Sequence, residues 1–199
     1  MDHIVRRMCF DIESSYFKHP GTGIGDPKYH RDLIIKSNPL FHGGVIYDEI
    51  NDNYHEFTRE NIESMIRFLS NAEELISHSG RRHDLPIIDS CSNGMSSNLY
   101  LIPHWDLLDM GNWKSLDDLS DKYIRNILPD IIKYYKNRCN QNDMQHPGEP
   151  WGSGTYWSPA NKQGRDLAKA DYDVRRTYAV WKTMIFCHSD LKPSDQGGN

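Results

Sequence analysis

Four carboxylates in three short segments are the residues of this chain that could do chemistry together. Asp11 and Glu13 stand in Phe10-Asp11-Ile12-Glu13, Asp84 in His83-Asp84-Leu85-Pro86, and Asp173 in Asp171-Tyr172-Asp173-Val174-Arg175-Arg176-Thr177. Each segment adjoins an apolar run that reads as a strand or a helix. Side chains two apart on a strand share a face, so Asp11 and Glu13 would present their carboxylates together. With Asp84 and Asp173 beside them, they could hold a pair of hard cations. An all-oxygen ligand set favours magnesium or manganese over zinc. Two such ions, roughly 3.5–4 Å apart, cleave phosphodiesters by clamping the attacking and leaving oxygens.

The elements that must position these groups follow from length and pattern. With 199 residues the chain is long enough for one domain whose core needs no disulfide. That domain is expected over 1–188, with an irregular insertion near 137–165 and a disordered tail over 189–199. Cys9, Cys91, Cys139 and Cys187 form no CxxC pair, which argues against a zinc knuckle and for reduced thiols in a cytoplasmic protein. No apolar run reaches membrane-spanning length and the N-terminus has no secretory segment. The net charge of −5 excludes a strongly basic nucleic-acid coat. It does not exclude nucleic acid, because bound metal ions invert the charge a phosphate meets.

Strands are expected over 4–12, over Gly43–Ile50 and, after a turn at Asn51-Asp52-Asn53, over Tyr54–Thr58. Thr58 is placed to cap a helix over Arg59–Ser70, where Ile62, Met65, Ile66 and Leu69 recur at helical spacing. Glu74–His78 reads as a short buried strand leading into the Asp84 segment, and Leu99–Pro103 as another strand. Ser115 caps a helix start, Tyr123–Tyr135 is helical with a break at Pro129, and Leu167–Phe186 is a helix. Residues 18–39 and 137–165 are rich in turn residues and read as loops. The whole is an α/β fold: a central mixed sheet of five strands flanked by helices, antiparallel at its start and parallel afterwards.

At this point the sequence resembles the DEDD superfamily of 3′–5′ exonucleases, which have the ribonuclease H-like fold. The resemblance runs from Phe10 to Trp181. The first family motif, an apolar strand ending in Asp-x-Glu, is matched by Phe10-Asp11-Ile12-Glu13-Ser14. The second is matched by His78-Ser79-Gly80-x-x-His83-Asp84-Leu85-Pro86, with Ser in place of Asn and His in place of Phe. The third, Asp-Val-x-x-Thr, is matched by Asp173-Val174-Arg175-Arg176-Thr177. The resemblance implies that Asp11, Glu13, Asp84 and Asp173 are the catalytic and metal-ligating residues, holding two Mg2+ or Mn2+ ions. It implies hydrolysis of DNA or RNA from a 3′ end, with single-stranded DNA favoured over RNA.

One position departs from the family. One branch has a water-activating His five residues before the third Asp, and here Ala168 stands there; the other has a Tyr four residues before, and here it is Lys169. A slowed enzyme is the expectation, with Ala168→His raising its rate. The alternative is a weakened nuclease-fold module that binds nucleic-acid ends or a protein partner without cutting. Other singled-out residues have plainer readings. Arg175 and Arg176 read as a helix surface, and Tyr178, Trp181 and Met184 as core. His78 reads as structural. Arg81 and Arg82 read as a solvated loop within reach of phosphate, while Trp151, Tyr156 and Trp157 could stack on bases or pack the insertion.

Overall fold

The computed structural model describes residues 4–15, 34, 39–141 and 162–193. Most of the 18–39 loop, residues 142–161 with Trp151, Tyr156 and Trp157, and 194–199 of the tail lie outside the described residues. Five strands form one sheet in the order β3-β2-β1-β4-β5: β1 Arg7–Ser15, β2 Leu40–Asp48, β3 Asn53–Thr58, β4 Glu74–Ser77 and β5 His104–Asp106. β1, β2 and β3 run antiparallel in sequence, and β4 and β5 continue parallel to β1. The expected mixed five-stranded sheet is therefore present, with the Asp11–Glu13 strand at its centre.

Helices cover both faces. α1 (Ile62–Leu69) and α2 (Leu85–Cys91) pack on one side; α3 (Leu107–Met110), α4 (Leu116–Tyr123), α5 (Leu128–Gln141) and the 26-residue α6 (Lys162–Cys187) cover the other. The pleat of β1 divides its side chains between these layers. Met8, Phe10 and Ile12 enter a core with Met65, Leu69, Leu85 and Ile87. Cys9 joins Val45, Ile76, Val174, Trp181 and Met184 on the α6 side. Asp11 and Glu13 continue the row begun by Cys9, so the alternation aims both carboxylates at α6. Tyr178, Trp181 and Met184 pack as read.

Several boundaries differ from the sequence reading. Leu99–Pro103 is not a strand: Ser97–Leu101 is a 3-10 turn and pairing begins at His104. Leu101 is exposed there, and Pro103 accepts a bond from Leu75 N but has no N–H to donate onward. Pro129 does not break a helix; it occupies the first turn of α5, where its missing N–H costs nothing. Thr58 precedes a 3-10 turn and makes no side-chain cap. β1 begins at Arg7 and extends through Glu13 to Ser15, and α6 begins five residues earlier than read. The insertion near 137–165 is helical at both ends, over 137–141 and 162–165.

Candidate active site

The three acidic segments meet at one edge of the sheet. β1 and β4 are parallel neighbours, with Cys9 beside Ile76, so their C-terminal ends open on the same side. Asp11 and Glu13 come from the first of these ends, and the Asp84 segment follows the second. α6 lies across the β1–β2 face and brings Asp173. Its approach is close because Glu13 stands opposite Gly43 on β2, where an added Cβ would lie 2.9 Å from Leu167 Cδ2 of α6.

The turn after β4 is built by buried polar groups. Ser79 takes a left-handed conformation, φ 66°, and Gly80 follows so tightly that a Cβ there would collide with Ser77. Ser77 Oγ accepts from Gly80 N at 3.0 Å and meets His104 Nε2 at 2.7 Å. Asp106, at the end of β5, accepts from Ser79 N at 2.7 Å, Leu108 N at 3.0 Å and Arg81 N at 3.2 Å. This clamp fixes where Asp84 emerges. Spacing alone gave no sign of it, since three backbone donors converging on one carboxylate leave no trace in residue type. Residues 80–84 wind as a wide π turn, and Asp84 Oδ1 is bound by His83 Nδ1 at 2.9 Å.

Carboxylate oxygens of Asp11, Glu13 and Asp173 lie within 4.8 Å of one another. Asp84 is outside that closest group, yet its charge acts on Asp11. Loss of solvent first, then the charges of Asp173, Asp84 and Glu13, push the Asp11 carboxyl well above the ordinary carboxylate range. Burial pushes Glu13 up to about 7 despite the nearby Lys169 ammonium. Asp173 moves the other way: burial opposes its charge, but Lys169 and Arg176 outweigh it and hold the carboxyl below its ordinary value. Asp11 Oδ2 and Asp84 Oδ2 are buried with no hydrogen-bond partner among the described residues. Unpaired buried carboxylate oxygens are costly, and hard cations are the groups that satisfy them. The residues therefore fit a magnesium or manganese ion.

Two cationic side chains complete the centre. Lys169, one helical turn before Asp173, pairs with Glu13 Oε1 and lies 3.4 Å from Asp173 Oδ2. Partial burial works against its charge, but Asp173, Glu13 and Asp11 hold the ammonium protonated well above the ordinary lysine range. Arg176 is not on the surface as read. It is 6 % exposed, donates to Asp173 Oδ1 at 2.7 Å and pairs with Asp117 of α4 at 2.5 Å. Arg175 stacks between the rings of Tyr54 and Tyr134, as a structural element. Arg82 lies over Trp113 and pairs with Asp109, and Arg81 reaches Tyr100 O, so both are anchored. His78 bonds Lys114 O.

The side chains around the departing positions separate clearly. Ala168 does not face the carboxylates; it is buried against Tyr135, Cys139 and Tyr172 between α5 and α6. Asp171 is consumed by Arg138 and Arg175, and Tyr172 is buried under Arg176. Of Lys169, Asp171 and Tyr172, Lys169 alone reaches the centre.

Fold and carboxylate cluster together define a ribonuclease H-like α/β domain with an acidic centre at the carboxyl end of its parallel strands. The chain is similar to the family B DNA polymerase from the hyperthermophilic archaeon Pyrobaculum calidifontis, with a TM-score of 0.55 at 14% identity. The likeness covers 92% of this chain and 25% of the polymerase, so it spans about a quarter of that protein's length. At that identity it shows the fold. No protein-family model matches the chain, and no curated protein does. Among the described residues, no helix is long and apolar enough to cross a membrane.

Proposed function

We propose that this chain is a metal-dependent 3′–5′ exonuclease that hydrolyses phosphodiester bonds, acting on single-stranded DNA in preference to RNA. One observation carries the reading: carboxylates of Asp11, Glu13 and Asp173 from distant segments converge within 4.8 Å, and the charge of Asp84, whose buried Oδ2 has no partner among the described residues, acts on Asp11. The sequence resemblance and the polymerase-like fold support nucleic acid as the substrate. Magnesium or manganese on Asp11, Glu13, Asp84 and Asp173 would supply a nucleophilic water at neutral pH and charge for the leaving oxygen. The chain's part is to hold that charge in place. Arg176 fixes Asp173 from one side and Lys169 ties Asp173 to Glu13. The Asp106 clamp sets the Asp84 turn, so the donors need little reorganisation.

A second reading is a nucleic-acid-end binder that does not cut. It is favoured by the capture of both Asp173 oxygens by Lys169 and Arg176.

The test is digestion of 3′- and 5′-labelled single- and double-stranded DNA and RNA with magnesium, manganese or EDTA. Mononucleotides should appear from the 3′ label of single-stranded DNA with either metal, none with EDTA and none from circular DNA. Asp11→Asn and Asp84→Asn should each slow release by more than about tenfold, roughly 1.4 kcal/mol of barrier. DNA retained but never shortened in any metal would sink the nuclease and leave the binder.

A further inference from the structure

The four acidic side chains are unevenly engaged. Asp173 gives both of its oxygens to cations of the chain itself, Oδ1 to Arg176 at 2.7 Å and Oδ2 to Lys169 at 3.4 Å. Glu13 Oε1 pairs with the same Lys169 ammonium. Among the described residues, Asp11 Oδ2 and Asp84 Oδ2 are the oxygens of these four left buried and unpartnered, and Asp84 is only 3 % exposed. The ammonium thus engages two of the four carboxylates, while the unmet demand for charge lies on Asp11 and Asp84.

We propose that the Lys169 ammonium takes the place of one of the two divalent cations, so that the site binds a single Mg2+ or Mn2+ on Asp11 and Asp84. This rests on the reading of the cluster as a cation-dependent nuclease centre. Lys169 and Asp173 are four apart on α6, a spacing that puts both on one helix face, and that face lies against β1. A second divalent ion between Glu13 and Asp173 would have to displace the ammonium from both. An ammonium tethered to α6 also cannot leave with a chelator. One monovalent and one divalent cation nearly neutralise four carboxylates, and Arg176 offsets the remainder. A second divalent ion added to these would leave a net positive site.

The experiment is manganese titration of the folded chain, without nucleic acid, followed by calorimetry and by electron paramagnetic resonance. The parent should bind one Mn2+ with no spin coupling. Lys169→Met should bind two, and the spectrum should show coupled ions, as expected at roughly 3.5–4 Å separation. Lys169→Gln repeats the test should the Met variant fold poorly. Asp84→Asn should weaken the parent's single ion by more than about tenfold, roughly 1.4 kcal/mol. A parent that binds two coupled ions overturns the inference and leaves the nuclease reading standing. A neutral Lys169 variant that still binds one ion also overturns it. Parent and Lys169→Met both folded, both binding none, would overturn the nuclease centre itself.

Discussion

Ala168 and Lys169 are neighbours in sequence with different surroundings, and the difference fixes what each substitution does. Lys169 meets Glu13 and Asp173; Ala168 is 1 % exposed against Tyr135 and Tyr172. The expectation that Ala168→His would raise the rate followed the family's spacing. α6 begins at Lys162, so the helical phase at 168 is already set and points that side chain at α5. An imidazole there overpacks the contact, at a cost of about 1–3 kcal/mol. Ala168→His should therefore unfold at lower urea than the parent and cleave no faster, as read by equilibrium unfolding and initial rates on one 3′-labelled substrate. Residue types and order single out Asp11, Glu13, Asp84 and Asp173; the structure brings carboxylate oxygens of Asp11, Glu13 and Asp173 within 4.8 Å of one another and leaves Asp84 outside that group. The partners were not legible. Arg176 reads as a surface residue because its answering charge, Asp117, lies 59 positions away on another helix.

At the scale of elements, β1, β4 and α6 were legible because their apolar periods are long or continuous. β5 was not. It is three residues, His104-Trp105-Asp106, two of them polar, and all three are buried. What makes it a strand is pairing with β4, a long-range event that local propensity does not encode. Its first residue carries a pH signature. His104 is fully buried against Ser77, and burial, then the Arg81 charge, lower its pKa from 6.5 to about 3. The folded state resists a proton that the unfolded chain accepts, so His104 favours folding fully above pH 6.5. That contribution fades as pH falls from 6.5 towards about 3. Glu13 slopes the opposite way in metal-free protein, losing stability as pH rises from 4.5 to about 7. The difference between variants isolates the histidine. Parent stability should fall relative to His104→Gln on acidification, by up to about 1.4 kcal/mol per pH unit. Denaturant melts of both proteins between pH 7 and 5 would measure it, and parallel curves would refute it.

At the scale of the whole molecule, the acidic centre sets like charges side by side, so an ion that binds only the folded chain should stabilise all of it. Manganese at a hundred times its dissociation constant should add about 2.7 kcal/mol and raise the melting temperature; calorimetric scans with and without metal would show this. How that stabilisation spreads depends on α6. Its 26 residues span about 39 Å. Its middle holds Lys169, Asp173 and Arg176; its C-terminal part holds Trp181 and Met184 in the core. Among the described residues, α6 cannot swing aside from the centre by itself, because turning it off β1 also tears Trp181 from its packing. The acidic pocket and the hydrophobic interior then open as one cooperative unit rather than as a breathing surface patch. Amide hydrogens around Trp181, about 12 Å along the helix from Asp173, should exchange more slowly once manganese is bound, by the same factor as those around Asp173.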